Sequence, residues 1–327
     1  MTVEEDMRKP HPDWEPLDFA GLSTVSLYDR PSKVKLGDFA VPWECGGSLR
    51  DFVRKLPGIL AADLFRKAVD AISASLEKDR LVLLGMGAHP IKVGLNPVLI
   101  DALQRRLLSG LALNGAGIIH DVELALAGKT SEDVAAHLDA GQFGAVRETA
   151  EFIHEAVKIA HAKGDIGLGR AVGERLLAQA APYAHMSLLA TAAKLEVPVT
   201  VHVALGTDII HMHPSMDGAL MGALSHYDFK LFCRLVSHLQ EGVFINLGSA
   251  VVLPEVFLKA FSVALNMGFP LNGITTINMD FQRHYRTQNN IVERPTAGRG
   301  TGINLIGHHE IMFPLLMAAV IEQLGCD

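Results

Sequence analysis

Much of what marks whole protein classes is scarce in this sequence. Its three cysteines, Cys45, Cys233 and Cys326, lie far apart with no CxxC pair, which argues against a disulfide scaffold. Reduced, structural thiols in a cytoplasmic protein are the expectation. Basic clusters are missing too: 29 bases against 36 acids give a net charge of -7, spread along the chain, and no nucleic-acid footprint results. No apolar run approaches the roughly 20 residues of a membrane-spanning helix. The opening MTVEEDMRKPHPDWEP lacks the apolar stretch of a secretory signal, so neither membrane nor secretion is expected. There is no internal repeat and no low-complexity linker. A GxGxxG fingerprint is also absent, which makes an ordinary dinucleotide dehydrogenase unexpected.

What is present is apolar: 49% of the 327 residues are hydrophobic, enough for a large core. Residues 1–47 carry prolines and charges without a sustained period. They read as an arm that packs on the surface or on another subunit, with Trp14, Phe19 and Leu22 as the apolar groups it would bury. From Ser48 the pattern turns helical, with Phe65, Val69, Ile72 and Leu76 at helical spacing, and residues 48–327 read as one domain. Short apolar runs follow at Leu81–Leu84, Leu111–Leu113, Val199–Val203, Val243–Leu247 and Ile274–Ile277. Nearly all end in Gly, Asn or Asp and precede a helical segment. The stretch Glu148–Lys194 reads as two or three helices broken at Gly164–Gly169. Strands apolar throughout, alternating with helices, predict an α/β fold with a parallel sheet covered on both faces.

Ligands of such sheets bind beyond the carboxyl ends of the strands, so the turns after each run are where function is sought. The first turn holds Gly85, Gly87, Ala88, His89 and Lys92; the second holds Asn114, Gly115 and Gly117, then His120, Asp121 and Glu123; a later one holds Gly248 and Ser249. Glycines there let backbone approach a ligand, and helix-start amides favour phosphate or carboxylate, so a nucleotide-like small molecule is expected. Lys92 offers either a phosphate contact or, if desolvated, a nucleophilic amine. The densest polar cluster is His202–Pro214. If extended, His211 and His213 project alike and suit a metal such as zinc, with His202, Asp208, Asp121 and Glu123 as further ligands; otherwise they hydrogen-bond within a site or across an interface. Near the end, Gly307-His308-His309-Glu310 precedes an apolar helix over 311–324, where a carboxylate complements the helix dipole or a histidine, His308 foremost, points into the cleft. The arginine-bearing stretch Gln282–Thr301 reads as a solvated loop, or else as a mobile lid that binds an anion.

The order of these elements resembles deoxyhypusine synthase from about Ser48 to Leu324. Asn114–Asp121 (NGAGIIHD) is similar to that family's TTAGGVEED turn, and Pro198–Asp208 to the strand before its ALTDG loop, with Asp208 or its neighbour Thr207 at the family's aspartate. Asn246–Val252 resembles LGGGVV, Thr276-Ile277-Asn278 resembles YINTA, and Phe313–Leu316 matches the terminal FPLL. The resemblance implies a Rossmann-like doubly wound sheet, a homotetramer with shared sites, NAD as cofactor and transferase chemistry on spermidine. Asn278 would then join Gly85, Gly87, Ala88, His89, Asn114, Gly115, Gly117, Gly248 and Ser249 around NAD. The family's reactive lysine, in a WGK motif, has no counterpart: that region reads ERPTAGRGTGIN, and no lysine follows Lys259. Arg299 stays protonated and forms no imine. The expected reading is a deoxyhypusine-synthase-like, NAD- or nucleotide-dependent enzyme acting on another substrate. Asp208, His120, Asp121, Lys92 and His308 are its candidate catalytic groups. A metal-assisted hydrolase or lyase built on His211 and His213, or a non-catalytic nucleotide-binding protein, are the competing readings.

Overall fold

The computed structural model of the chain describes residues 16–139, 141–164 and 166–325. Two compact units divide it, Met1–Phe39 and Ala40–Asp327. In the first unit the described residues form turns and one 3-10 turn, Leu36–Asp38; Phe19 and Leu22 are exposed, and Trp14 lies outside the described residues.

The second unit is built on a parallel sheet of six strands: β1 (Val82–Met86), β2 (Gly110–Asn114), β3 (Val199–His202), β4 (Val243–Leu247), β5 (Thr275–Asp280) and β6 (Thr301–Ile306). Their order is β3-β2-β1-β4-β5-β6, so the winding reverses between β1 and β4. The sequence reading found five of these strands. The sixth, TGINLI, lies at the edge, where alternate positions face solvent and the continuous apolar run of a central strand is absent.

Helices α1 (Leu49–Lys55), α2 (Leu60–Glu77), α3 (His89–Lys92), α4 (Asn96–Gln104), α5 (Gly115–Ala127), α6 (Val134–Leu138), α7 (Arg147–Lys163), α8 (Leu168–Ala178), α9 (Leu188–Leu195), α10 (Gly218–Val236), α11 (Val252–Asn266), α12 (Tyr285–Thr287) and α13 (His309–Leu324) complete the unit. Local chemistry sets several of their starts. Ser48 and Asp51 close a reciprocal capping box on α1, and Asp217 accepts the Ala219 and Leu220 amides to start α10. Asn114 ends β2 and starts α5 at once, its Oδ1 accepting the Gly117 amide at 2.9 Å. The stretch Glu148–Lys194, expected as two or three helices, holds α7, α8 and α9 with a 3-10 turn at Ala184–Met186, and the expected break falls between α7 and α8.

Each face of the sheet has its own core. Leu84, Met86, Ile245, Leu247 and Ile277 pack on the side of α2, α4, α5 and α13, whereas Leu83, Ala112 and Phe244 pack with α10 and α11. Phe244 and Phe257 stack in the second core at 3.9 Å between centroids. The stretch Gln282–Thr301 is neither a solvated loop nor a detached lid. It holds α12 and a π-helical turn, Gln288–Glu293, whose Ile291 and Val292 enter the second core while Thr276 Oγ1 donates to the Ile291 carbonyl at 2.6 Å. Among the described residues, no helix is long and apolar enough to cross a membrane.

Candidate functional site

At the reversal between β1 and β4 the strand ends come unusually close. The Gly87 amide donates to the Leu247 carbonyl at 3.1 Å, and a Cβ on Gly87 would lie 2.4 Å from the Gly248 carbonyl oxygen. Only glycine fits there. Gly248 adopts φ +64°, and a Cβ on it would meet the His309 ring at 2.6 Å, so that imidazole lies directly over the turn. Below, register pairs Asn246 with Asn278 and Asn278 with Asn304, and their amides run as a ladder with bonds of 2.8 and 2.7 Å. Asn246 also donates to the Ser249 carbonyl at 3.0 Å, which holds the Gly248–Ser249 turn down on the strand ends.

His309 is the buried centre of this edge, 1% exposed, with neither ring nitrogen in a hydrogen bond of ordinary geometry, although the Met279 backbone lies close enough to act on the ring. Its Nε2 lies 3.7 Å from Oδ1 of Asp280, the last residue of β5, and the His284 Nε2 stands 3.9 Å from the other carboxylate oxygen. The rings of His89 and Phe281 flank His309 at centroid distances of 5.1 and 5.6 Å. Phe281 is partly exposed and caps the group from outside. Burial pushes the His309 imidazole below its usual value, with the Asp280 carboxylate pulling the other way. A neutral imidazole backed by a carboxylate can accept a proton and hold the resulting cation.

Of the residues predicted for the first and third turns, Gly85, Gly87, Ala88, His89, Gly248 and Ser249 lie on or beside this edge, and Asn278 belongs to the ladder beneath it. Gly85 itself is packed inward, where a Cβ would meet Phe244 at 2.7 Å. Lys92, on α3, is exposed and lacks the desolvation a nucleophilic amine needs. His308 is largely exposed, so its neighbour His309 is the one that enters the cleft. Asp280, His284 and Phe281 were missed, although the strand-end rule pointing to Gly and Asn also points to an Asp closing β5.

The β2–β3 side is separate. Asn114 occupies the strand end where dinucleotide folds place an acid for the ribose, but its Oδ1 is committed to its own helix. Asp208 packs its carboxylate against the start of α5: a Cβ on Gly115 would lie 1.9 Å from Asp208 Oδ2, and Gly117 follows two residues further into the helix. That oxygen is buried without a hydrogen-bond partner, and burial raises the Asp208 carboxyl. His211 Nε2, also unpartnered, sits 3.9 Å away. His211 and His213 do not share an extended stretch, because His211 lies in the 3-10 turn Ile209–Met212 and His213 follows it, and the two rings take different partners. His211 Nδ1 accepts the Gly206 and Asp208 amides, whereas His213 Nδ1 meets Ser215. Among the described residues, no group of three or more His, Cys, Asp or Glu is placed to hold a metal ion.

The remaining predicted groups face elsewhere. Asp121 is fully buried, accepting from Ser187 Oγ at 2.5 Å, the Leu188 amide at 2.7 Å, the Leu189 amide at 3.1 Å and Asn96 at 3.3 Å, so it ties α5 to the start of α9. Burial lifts its carboxyl to about 6 against these donors. His120 bonds Thr130 Oγ1 at 2.6 Å, and Thr130 donates in turn to Glu123.

No family model and no curated protein matches the sequence. Among solved structures, the apo form of ArgZ, an arginine dihydrolase from the ornithine–ammonia cycle in cyanobacteria, is similar at 14% identity and TM-score 0.50 over 81% of this chain. The ternary complex of AgrE with ornithine and NAD+ is similar at 10% identity and TM-score 0.50 over 80% of this chain. The chain spans 32% and 33% of those two proteins. A structure assigned as a deoxyhypusine synthase from Entamoeba histolytica aligns over 86% of this chain and 95% of its own, at 13% identity and TM-score 0.49. What these likenesses establish for the chain is its fold, a six-stranded, all-parallel α/β sheet wrapped by helices.

Proposed function

We propose that the chain is an NAD- or nucleotide-dependent enzyme that removes hydride from a small alcohol or amine at the β1–β4 reversal. The observation that carries the reading is the buried His309 beside Asp280, lying over a Gly87–Gly248 approach too tight for any side chain. Strand order 3-2-1-4-5-6 is the order of dinucleotide-binding sheets, whose ligand crosses this crevice. The resemblance to deoxyhypusine synthase and the NAD+ bound by AgrE support the same cofactor, while fold alone does not fix an activity.

The residues present fit such a group in part. Gly87 and Gly248 leave room for close backbone approach, and the unpartnered Asp208 Oδ2 supplies the acid that Asn114 does not. A bound nicotinamide would supply the hydride acceptor. His309 then takes the proton of the substrate hydroxyl or ammonium, and Asp280 stabilises the imidazolium formed. Phe281 and His89 exclude water from that proton. With no lysine after Lys259, transfer of an aminobutyl group through an enzyme imine is not part of the proposal.

The test is a calorimetric titration of the full chain with NAD. Saturable binding near one per chain, kept in His309→Gln while hydride transfer from the alcohol or amine falls by about 100-fold or more, is the expected result. Absence of NAD binding to the folded protein would overturn the reading.

A further inference from the structure

A second constellation stands apart from the β1–β4 edge. His154, in the middle of α7, is 3% exposed, and its Nδ1 lies 2.6 Å from Ser215 Oγ. The same hydroxyl lies 2.8 Å from His213 Nδ1, and His213 Nδ1 also accepts the Ser215 amide at 3.2 Å. The two imidazoles face each other across the serine with ring centroids 6.0 Å apart. Ser215 and His213 are half-buried, open on one side, whereas His154 Nε2 is buried with no hydrogen-bond partner.

One proton arrangement satisfies these contacts. His213 Nδ1 accepts a backbone N–H, so it carries a lone pair and the proton sits on Nε2. The Ser215 hydroxyl therefore donates to His213 Nδ1, and His154 Nδ1–H donates to Ser215 Oγ. That leaves a bare acceptor on His154 Nε2, a buried group left unsatisfied. Burial, with His213 and His211 nearby, holds the His154 imidazole down at about 4, so the ring stays neutral. A serine serving only its turn needs one partner. This one is held between a buried donor and an open acceptor, the relation of a nucleophile to its orienter and its base.

We propose that Ser215 is a nucleophilic serine that takes acyl groups from activated esters, with His213 as general base and His154 as positioning residue. Ser215 Oγ attacks the ester carbonyl carbon as its proton passes to His213 Nδ1. Collapse of the tetrahedral adduct breaks the carbon–oxygen bond to the leaving alcohol, which takes that proton, and leaves acyl-Ser215. Water then attacks the acyl carbon with His213 accepting its proton, the carboxylic acid departs, and Ser215 Oγ recovers the proton. No cofactor enters, so the step is independent of the nucleotide reading.

The experiment is incubation of the full chain with p-nitrophenyl acetate, peptide mapping by mass spectrometry and a stopped-flow record of nitrophenolate. Acetyl on Ser215 in the native protein, absent in urea-unfolded chain, is the expected result, with acylation slowed about 100-fold or more in His213→Gln. His154→Asn, whose amide N–H can stand where Nδ1–H stands, retains acylation, and His154→Leu loses it. The thermal midpoint and circular dichroism spectrum of each variant check that it is folded. Acetyl on lysines only, equal labelling of native and unfolded Ser215, or a rate indifferent to His213→Gln would each overturn the proposal.

Discussion

Asp228 offers a quantitative test of how the fold treats a buried charge. It projects from α10 with no exposed surface, and its Oδ2 accepts the Val201 amide at 2.8 Å and the Gly169 amide at 3.0 Å, joining edge strand β3 to the start of α8. Its Oδ1 has no hydrogen-bond partner, and a Cβ on Gly167 would lie 1.7 Å from it. Burial raises the carboxyl from 3.8 to about 7, against the pull of the amides. With the folded value above the unfolded one, the folded chain binds the extra proton. Stability from this group is therefore full below pH 4 and lost as pH rises toward 7. A shift of that size integrates to ~2–3 kcal/mol lost between pH 5 and pH 8, at 1.36 kcal/mol per unit. Asp228→Asn keeps an acceptor for both amides and carries no charge, so it removes this slope. Urea unfolding of both proteins at pH 5 and pH 8 measures the double difference, in which the titration of Asp121 and of surface groups cancels. The variant is expected to gain ~2–3 kcal/mol relative to the parent on going from pH 5 to pH 8. A double difference within about 0.5 kcal/mol of zero would refute the argument and mean that the two amides hold the carboxylate charged.

Other outcomes follow from single contacts. Gly87→Ala places a methyl against the Gly248 carbonyl and is expected to cost ~1–3 kcal/mol and to weaken NAD binding together, read by thermal melting and calorimetry. Asp121→Ala strands the Ser187 hydroxyl and the Leu188 and Leu189 amides in the interior, and urea titration is expected to show a loss of ~2–4 kcal/mol. Incubation with EDTA is expected to leave the thermal midpoint unchanged; a fall would restore a metal at His211 and His213. Lys92→Ala should leave the NAD affinity within about threefold, since a solvent-facing ammonium contributes only ~0–1 kcal/mol, and a larger loss would bring Lys92 into the site.

How far the sequence could be read depended on burial. Strands β1 and β4 are buried at every position, so VLLGM and VFINL show as nearly continuous apolar runs, broken only by Asn246. Strand β6 keeps only Ile303 and Leu305 inside, and a run with two buried apolar residues looks like a turn. The turns after β1 and β4 were legible because sterics demand glycine there, and glycine leaves a mark in the sequence. Side-chain direction leaves no such mark. Asp121 follows Gly115 by six residues, yet along a helix that is about 9 Å from the strand ends, deep enough to cap α9 rather than face a ligand. His308 and His309 differ by one residue and therefore by about 100° around the start of α13, which sends one to solvent and the other over Gly248. The pairing of rings in HxH depends on an extended backbone, and it is lost where Ile209–Met212 coils into a 3-10 turn.

Hydrogen-bond satisfaction separates the buried polar groups better than residue type does. Asp121 and Asp228 are carboxylates with perturbed titration, a common sign of an active site, yet between them they accept the amides that start α8 and α9 and fix strand β3. Removing either would disturb packing first. The His309 ring, Asp208 Oδ2, His211 Nε2 and His154 Nε2 are equally hidden and make no hydrogen bond of ordinary geometry, and beyond the nearby charges of Asp280, Asp208 and His211 the fold gives them little, whereas Asp228 leaves only its second oxygen unbonded. An unpaired buried group costs about 1–3 kcal/mol, and an apolar residue of similar size would remove that cost. Of these groups, those at the strand ends or in the segment following β3, on His309, Asp208 and His211, are better explained by a partner supplied from outside the chain than by architecture. On that argument Asp121→Ala and His309→Leu separate cleanly. The first lowers the unfolding midpoint and leaves the NAD affinity of the remaining folded protein alone. The second leaves the midpoint equal or higher and abolishes hydride transfer, and a destabilised His309→Leu would mean that the imidazole serves the core after all.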